Sequence, residues 1–207
     1  MTLPRLYSTT YCPYAWCTRI VLHEKGVPFD VFEVDLKNKQ AEFLEVSPTS
    51  RVPVFVHGDI RIWESMAINE YIEEKYPSPN LFGPTPEERA VVRTFLLDHN
   101  WNRSQPLAKL ASMLLLQRER REDQRVQRQL RHWYQYLDEL DEHFDAHDWA
   151  AIDRFTVGDI SLYATVVVSQ SFGMSVGDRP ALVRWLQRLD IRDSVRRSAP
   201  ELLPTFA

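Results

Sequence analysis

Apolar residues follow two different rhythms along the chain, and the change comes near residue 77. Before it they fall in short runs and alternations. Residues 4–7 form one run, Val31-Phe32-Glu33-Val34-Asp35 alternates, and Val52-Pro53-Val54-Phe55-Val56 is rich in β-branched and aromatic side chains. Ile60-Arg61-Ile62-Trp63 alternates again. These patterns predict four strands, with Gly58-Asp59 as the hairpin turn between the last two. Helices are predicted over 14–25, stopped by Gly26, over 40–46, stopped by Ser47-Pro48, and over 66–75, capped by Ser65 and ended at Tyr76-Pro77. A strand–helix–strand unit joined to a hairpin and a helix makes one four-stranded sheet with helices packed on it.

Residues 77–86 carry four prolines and read as a stiff linker. It runs into a helix start, with Thr85 as N-cap, Pro86 at the first position and Glu88 completing a capping box. Beyond it the apolar spacing is three and four. Val91 and Phe95 predict a helix through residue 100, which Pro106 should kink or break. Leu107, Leu110, Ala111, Leu114 and Leu115 resume the pattern, and Val126, Leu130, Trp133, Leu137, Leu140 and Phe144 form the longest stripe. A second capping box, Thr156-Val157-Gly158-Asp159, opens a helix through residue 168 that is apolar nearly all round, as a buried central helix would be. Pro180 starts another through residue 189. The predicted organisation is an α/β domain over 1–76, a linker over 77–86 and an all-helical domain over 87–207.

The net charge of -4 supplies no field for nucleic acid. No apolar run reaches the roughly 18–20 residues of a membrane span, and Met1-Thr2-Leu3-Pro4-Arg5 has no signal-peptide apolar region. A cytoplasmic protein with no nucleic-acid or membrane partner is expected. The histidines show no metal-ligand spacing, so no metal is expected. Arginines between Arg118 and Arg131 are interleaved with Glu119, Glu122 and Asp123 and read as a solvated helix face and turn.

The stretch with candidate chemistry is Ser8-Thr9-Thr10-Tyr11-Cys12-Pro13-Tyr14-Ala15-Trp16-Cys17. Pro13 suits the first position of the helix that follows. Cys12 then sits among unpaired backbone N–H groups at the positive end of a helix dipole, where a depressed thiol pKa is expected. Cys17, five residues on, makes no C-x-x-C pair and reads as a small core residue.

Tyr11-Cys12-Pro13-Tyr14, then Asp35-Leu36-Lys37-Asn38-Lys39, then Val52-Pro53, then Trp63-Glu64-Ser65, in this order and element context, resemble the cytosolic glutathione transferase superfamily. The similarity is closest to its cysteine-type members, the omega class, dehydroascorbate reductases and glutathionyl-hydroquinone reductases. It implies a thioredoxin-like N-terminal domain (βαβ-ββα), an all-α C-terminal domain building the second-substrate site, glutathione as cosubstrate and a homodimer. It makes Cys12 the catalytic thiol and Tyr14 part of its turn. Glu64 would pair with the γ-glutamyl amine, and Ser65, at a helix start, would hold the γ-glutamyl carboxylate. The Val52 backbone would pair with glutathione like an added strand, with a cis bond before Pro53. Lys39 would meet the glycyl carboxylate. Arg51 is added to that role from its position alone, and Asp98 is placed to reach a partner subunit's glutathione amine. The reaction implied is thiol transfer, or reduction of dehydroascorbate or quinone adducts, through a glutathionyl-Cys12 disulfide. One alternative is conjugation of glutathione to electrophiles, assisted by a hydroxyl of Ser8, Thr9, Thr10 or Tyr11. A non-enzymatic alternative is an RNA polymerase-binding module like the stringent starvation proteins, which Trp185-Leu186, Asp190 and Arg192-Asp193-Ser194 resemble.

Overall fold

The structure, a computed structural model, describes residues 3–117 and 120–199. Arg118 and Glu119 of the arginine-rich stretch lie outside the described residues. The first part is built from β1 (Arg5–Ser8), α1 (Pro13–Glu24), β2 (Asp30–Glu33), α2 (Ala41–Val46), β3 (Val54–His57), β4 (Ile60–Trp63) and α3 (Ser65–Lys75). The strands form one mixed sheet in the order β2-β1-β3-β4. β1 and β2 are parallel, which requires the crossover that α1 supplies, while β3 runs antiparallel to both its neighbours.

The two-residue period of the strands sorts side chains onto two faces. Leu6 and Phe55 join Trp16 and Ile20 of α1 and Ile68 and Ile72 of α3 in the main core. Tyr7 and Val54 point the other way, onto Phe43 of α2 and Val34. Register then fixes the site. Tyr7 lies opposite Val54, Val54 opposite Trp63, and Ser8 opposite Glu33. The exits of β1, β2 and β4 and the entry to β3 therefore meet at one end of the sheet.

The second part is helical: α4 (Pro86–Asp98), α5 (Gln105–Ala111), α6 (Gln124–Ala146), α7 (Val157–Ser171), α8 (Pro180–Asp190) and α9 (Asp193–Ser198). Its start is the expected capping box. Glu88 N–H donates to Thr85 Oγ1 at 3.2 Å and Thr85 N–H to Glu88 Oε2 at 3.2 Å. Such a cap is worth about 1 kcal/mol. The break expected at Pro106 takes a particular form. A π-helical turn, His99–Arg103, follows α4 and lets Pro106 fall in the first turn of α5, where its missing N–H costs nothing. α7 is buried along nearly its whole length and packs on α1. The second capping box does more than cap, because the Asp159 carboxylate accepts from Ala150 N at 2.8 Å, Thr156 N at 2.9 Å and Trp185 Nε1 at 3.2 Å.

Three sequence readings change. Ser65 does not cap α3; it is the first helical residue, and Glu64 takes the N-cap position at φ +67°. α9 lies beyond the last predicted helix and docks back on α1. Arg192 forks onto Glu24 at 2.8 and 2.9 Å, and Trp16 Nε1 donates to Ser198 Oγ at 3.0 Å. Arg121 leaves the solvated face, donating to the Phe172 carbonyl at the end of α7, while Arg120 stays exposed beside Glu122. No helix among the described residues is long and apolar enough to cross a membrane.

Candidate active site

Residues 9–12 turn the chain from β1 into α1. Pro13 opens the helix and Cys12 is its N-cap, with an extended backbone (φ −89°, ψ 113°) whose carbonyl accepts from Trp16 N–H at 2.9 Å. The half-buried Cys12 Sγ–H points at the Val52 carbonyl, 3.9 Å away. The expectation of a depressed thiol is not met. Burial pushes the Cys12 thiol up, and the Ala15 and Tyr14 N–H groups and the Arg19 charge oppose it without cancelling it. In an open turn the helix dipole would prevail, whereas here the sulfur is seated against the β3 entry and loses hydration. Cys17 is a buried core residue as expected. It accepts from Asn69 Nδ2 at 3.4 Å, and burial pushes its thiol up to about 12.

Two of the neighbouring hydroxyls are otherwise engaged. Thr9 Oγ1 and Thr10 Oγ1 donate to Glu33 Oε1 at 3.3 and 2.9 Å, and Thr10 N–H adds a third bond at 2.8 Å. Ser8 is fully buried, and the Tyr11 ring is 48% exposed. The Tyr14 hydroxyl shares a 3.2 Å hydrogen bond with Ser104 Oγ, between α4 and α5, so the helical part closes over the turn. Burial pushes the Tyr14 hydroxyl up, and the Ser104 hydrogen bond opposes it without cancelling it.

The Val52–Pro53 bond is cis, as the resemblance implies. Val52 is half-buried and Pro53 buried at the entry to β3. Glu64 is exposed at φ +67°, ψ 117°, a conformation that costs a non-glycine residue on the order of 1–3 kcal/mol. Such strain persists where flanking structure over-determines it, here the end of β4 and the start of α3. Ser65 presents a helix-start N–H at the same sheet end. Lys39, half-buried between β2 and α2, makes no ion pair among the described residues. Arg51 is exposed, and its backbone N–H and carbonyl are both held by Ser47 Oγ at 3.1 Å. Asp98 stands apart at the end of α4, accepting from Asn102 Nδ2 at 2.7 Å and Arg103 Nε at 3.2 Å. The Asn102 bond leads in holding its carboxyl below the usual range.

The sheet end thus gathers Cys12, Tyr14, Val52, Pro53, Glu64 and Ser65, with Lys39 and Arg51 on flanking loops and Asp98 outside. Sequence reasoning missed Glu33, Ser104 and Arg19. Glu33 was legible as the polar, outward position ending a strand beside Ser8. Arg19 was legible as a cation on an otherwise apolar helix. Ser104 carried no local signal. A cavity of about 970 Å³, lined by Lys109, Met113, Arg125, Arg128 and Arg131, lies in the helical part and includes no residue of the Cys12 turn. We place the site at the turn because the reactive groups converge there.

A thioredoxin-like sheet carrying a Cys-Pro helix start, followed by a helical domain, defines the glutathione transferase fold. The chain belongs to the glutathione S-transferase family: the model of its N-terminal domain matches residues 4–74 and that of its C-terminal domain residues 105–193. It is 32% identical over 186 residues to glutathione S-transferase 1 of Dianthus caryophyllus, covering 86% of this chain and 83% of that one. Over 82 residues it is 44% identical to a probable cytosolic glutathione S-transferase, DHAR1, of Oryza sativa subsp. japonica, covering 39% and 38% of the two chains. Among solved structures, a glutathione S-transferase from Methylobacterium radiotolerans in complex with glutathione sulfonate is similar at a TM-score of 0.81. It is 27% identical over 97% of this chain and 96% of that one. The chain is therefore a glutathione transferase enzyme with glutathione as its cosubstrate.

Proposed function

We propose that the enzyme transfers glutathionyl groups through Cys12. The observation that carries this reading is the placement of the Cys12 sulfur at the α1 N-terminus, against the Val52 carbonyl, with the Tyr14 and Ala15 N–H groups favouring its thiolate. The Cys12 thiolate attacks the glutathione sulfur of a mixed disulfide. The S–S bond breaks, the released thiolate takes a proton, and a glutathionyl-Cys12 disulfide forms. A second glutathione thiolate attacks the glutathionyl sulfur, releasing glutathione disulfide and restoring Cys12. Quinone and dehydroascorbate adducts of glutathione are substrates of the same class. Glu64 and Ser65 hold the γ-glutamyl end, the Val52 backbone the middle, and Lys39 with Arg51 the glycyl carboxylate.

A second reading rests on the raised Cys12 thiol. Protonated, it can donate to a bound glutathione thiolate, which then attacks an electrophile; the Thr9 and Thr10 hydroxyls, committed to Glu33, are poorer donors for that step. We further propose a cytosolic homodimer, the helical part forming the second-substrate site and Asp98 reaching the partner's glutathione only across the two-fold interface. Native mass spectrometry after incubation with glutathione disulfide tests both points. The expected species is a dimer of the 24.4-kDa chain with one glutathionyl group per chain, on Cys12. An unmodified Cys12 would overturn thiol transfer, and a monomer would overturn the dimer.

A further inference from the structure

We propose that Arg19 is a positioning residue for the Cys12 thiol, an unquenched cation beneath the active-site turn that draws the sulfur toward its thiolate form. Arg19 is only 8% exposed, and its Nε and Nη2 have no hydrogen-bond partner among the described residues. Buried arginines are rarely left so, because an uncompensated buried charge is costly. Arg19 lies seven residues, or two turns, after Cys12 on the same face of α1. Helical side chains lean toward the N-terminus, so its long stem carries the guanidinium back toward Cys12.

The surroundings leave that charge available. Glu33 is the acid felt by Arg19, but no salt bridge joins them among the described residues, and its Oε1 is occupied by Thr9 and Thr10. Ser8 Oγ, on the α1 side of the sheet beside Glu33, is also buried without a partner. The groups facing the Cys12–Arg19 pair are Tyr14, Cys17 and His23 on α1, Glu33 at the end of β2 and Glu64 before α3. Arg197 and Asp193 of α9 act on His23. The Arg19 charge pulls the Cys12 thiol down, and ionised Cys12 would in turn favour the guanidinium, whose own charge burial disfavours.

The inference rests on Cys12 being the working thiol, but its test needs no glutathione, so the two can fail separately. The test is the pH dependence of Cys12 alkylation by iodoacetamide in the full chain. Arg19→Met, similar in length and apolar, is expected to keep or raise Tm and to move the alkylation midpoint up by roughly one pH unit. Arg19→Lys, which keeps the charge, should restore most of that shift. A midpoint unchanged in folded Arg19→Met would overturn the proposal and leave Arg19 a structural residue. Should Arg19→Met not fold, Arg19→Met/Glu33→Gln, which removes the cation together with the acid that favours it, decides by comparison with Glu33→Gln alone. A higher midpoint in the double variant supports the action of Arg19 on the thiol, and an equal midpoint overturns it.

Discussion

At the scale of single residues, the site divides, on the proposed reading, into groups that act on sulfur and groups that hold the tripeptide. Cys12 belongs to the first. Its raised thiol means that the reactive thiolate fraction grows as pH rises past neutrality, so thiol chemistry should speed up with alkalinity rather than run flat from acid pH. Lys39 is proposed for the second, half-buried on the loop between β2 and α2. A pair with the glycyl carboxylate there is worth on the order of 1 kcal/mol, or several-fold in affinity. Lys39→Ala is therefore expected to raise KM for glutathione several-fold with kcat kept, and the wild-type advantage should shrink with added salt. Steady-state kinetics showing a fall in kcat alone would remove Lys39 from the binding site.

At the scale of elements, periodicity and capping made most of the fold legible. The alternation at residues 60–63 is β4, and the stripe from Val126 to Phe144 is the buried face of α6. What stayed hidden was set by distant contacts. The π-helical turn after α4 depends on His99, whose Nδ1 bonds the Tyr136 hydroxyl at 2.9 Å and whose Nε2 bonds Thr165 Oγ1 at 3.1 Å. No local pattern announces those partners. That turn also sets Ser104 against Tyr14, which is why this contact was not legible either. Burial pushes the His99 ring down to about 4, below its ordinary value of 6.5. The unfolded chain thus binds a proton in this range that the folded chain refuses, and stability supplied by neutral His99 is lost as pH falls from 6.5 to 4. Asp159, pushed up to about 6 by burial, acts in the opposite direction, so a difference measurement is needed. The gap in unfolding free energy between wild type and His99→Gln should shrink by on the order of 3 kcal/mol over that interval. A gap independent of pH would contradict a neutral, buried His99.

At the scale of the molecule, two parts are joined into one by contacts that converge on α1. Its far end holds α9 through Glu24, Arg192 and Ser194, and it is tied to α3 by the buried Lys25–Glu73 pair. Its middle packs on α7 through Trp16 and Tyr163. Its near end is the Cys12 turn, so the helix that carries the thiol is also the one both parts grip. The family was legible because the segments that carry the resemblance, from Tyr11 to Ser65, occur in order along one chain. The environment of the thiol was not, because the Cys12 sulfur is seated against the Val52 carbonyl, forty residues away. The measurement that bears most directly on this account is glutathione-dependent reduction of a glutathionylated disulfide by Cys12→Ala beside wild type, with retention on immobilised glutathione as the control for an intact site. The account predicts that thiol transfer is abolished in Cys12→Ala while retention persists, since Lys39, Val52, Glu64 and Ser65 remain. Thiol transfer at the wild-type rate in a retained Cys12→Ala protein would contradict it.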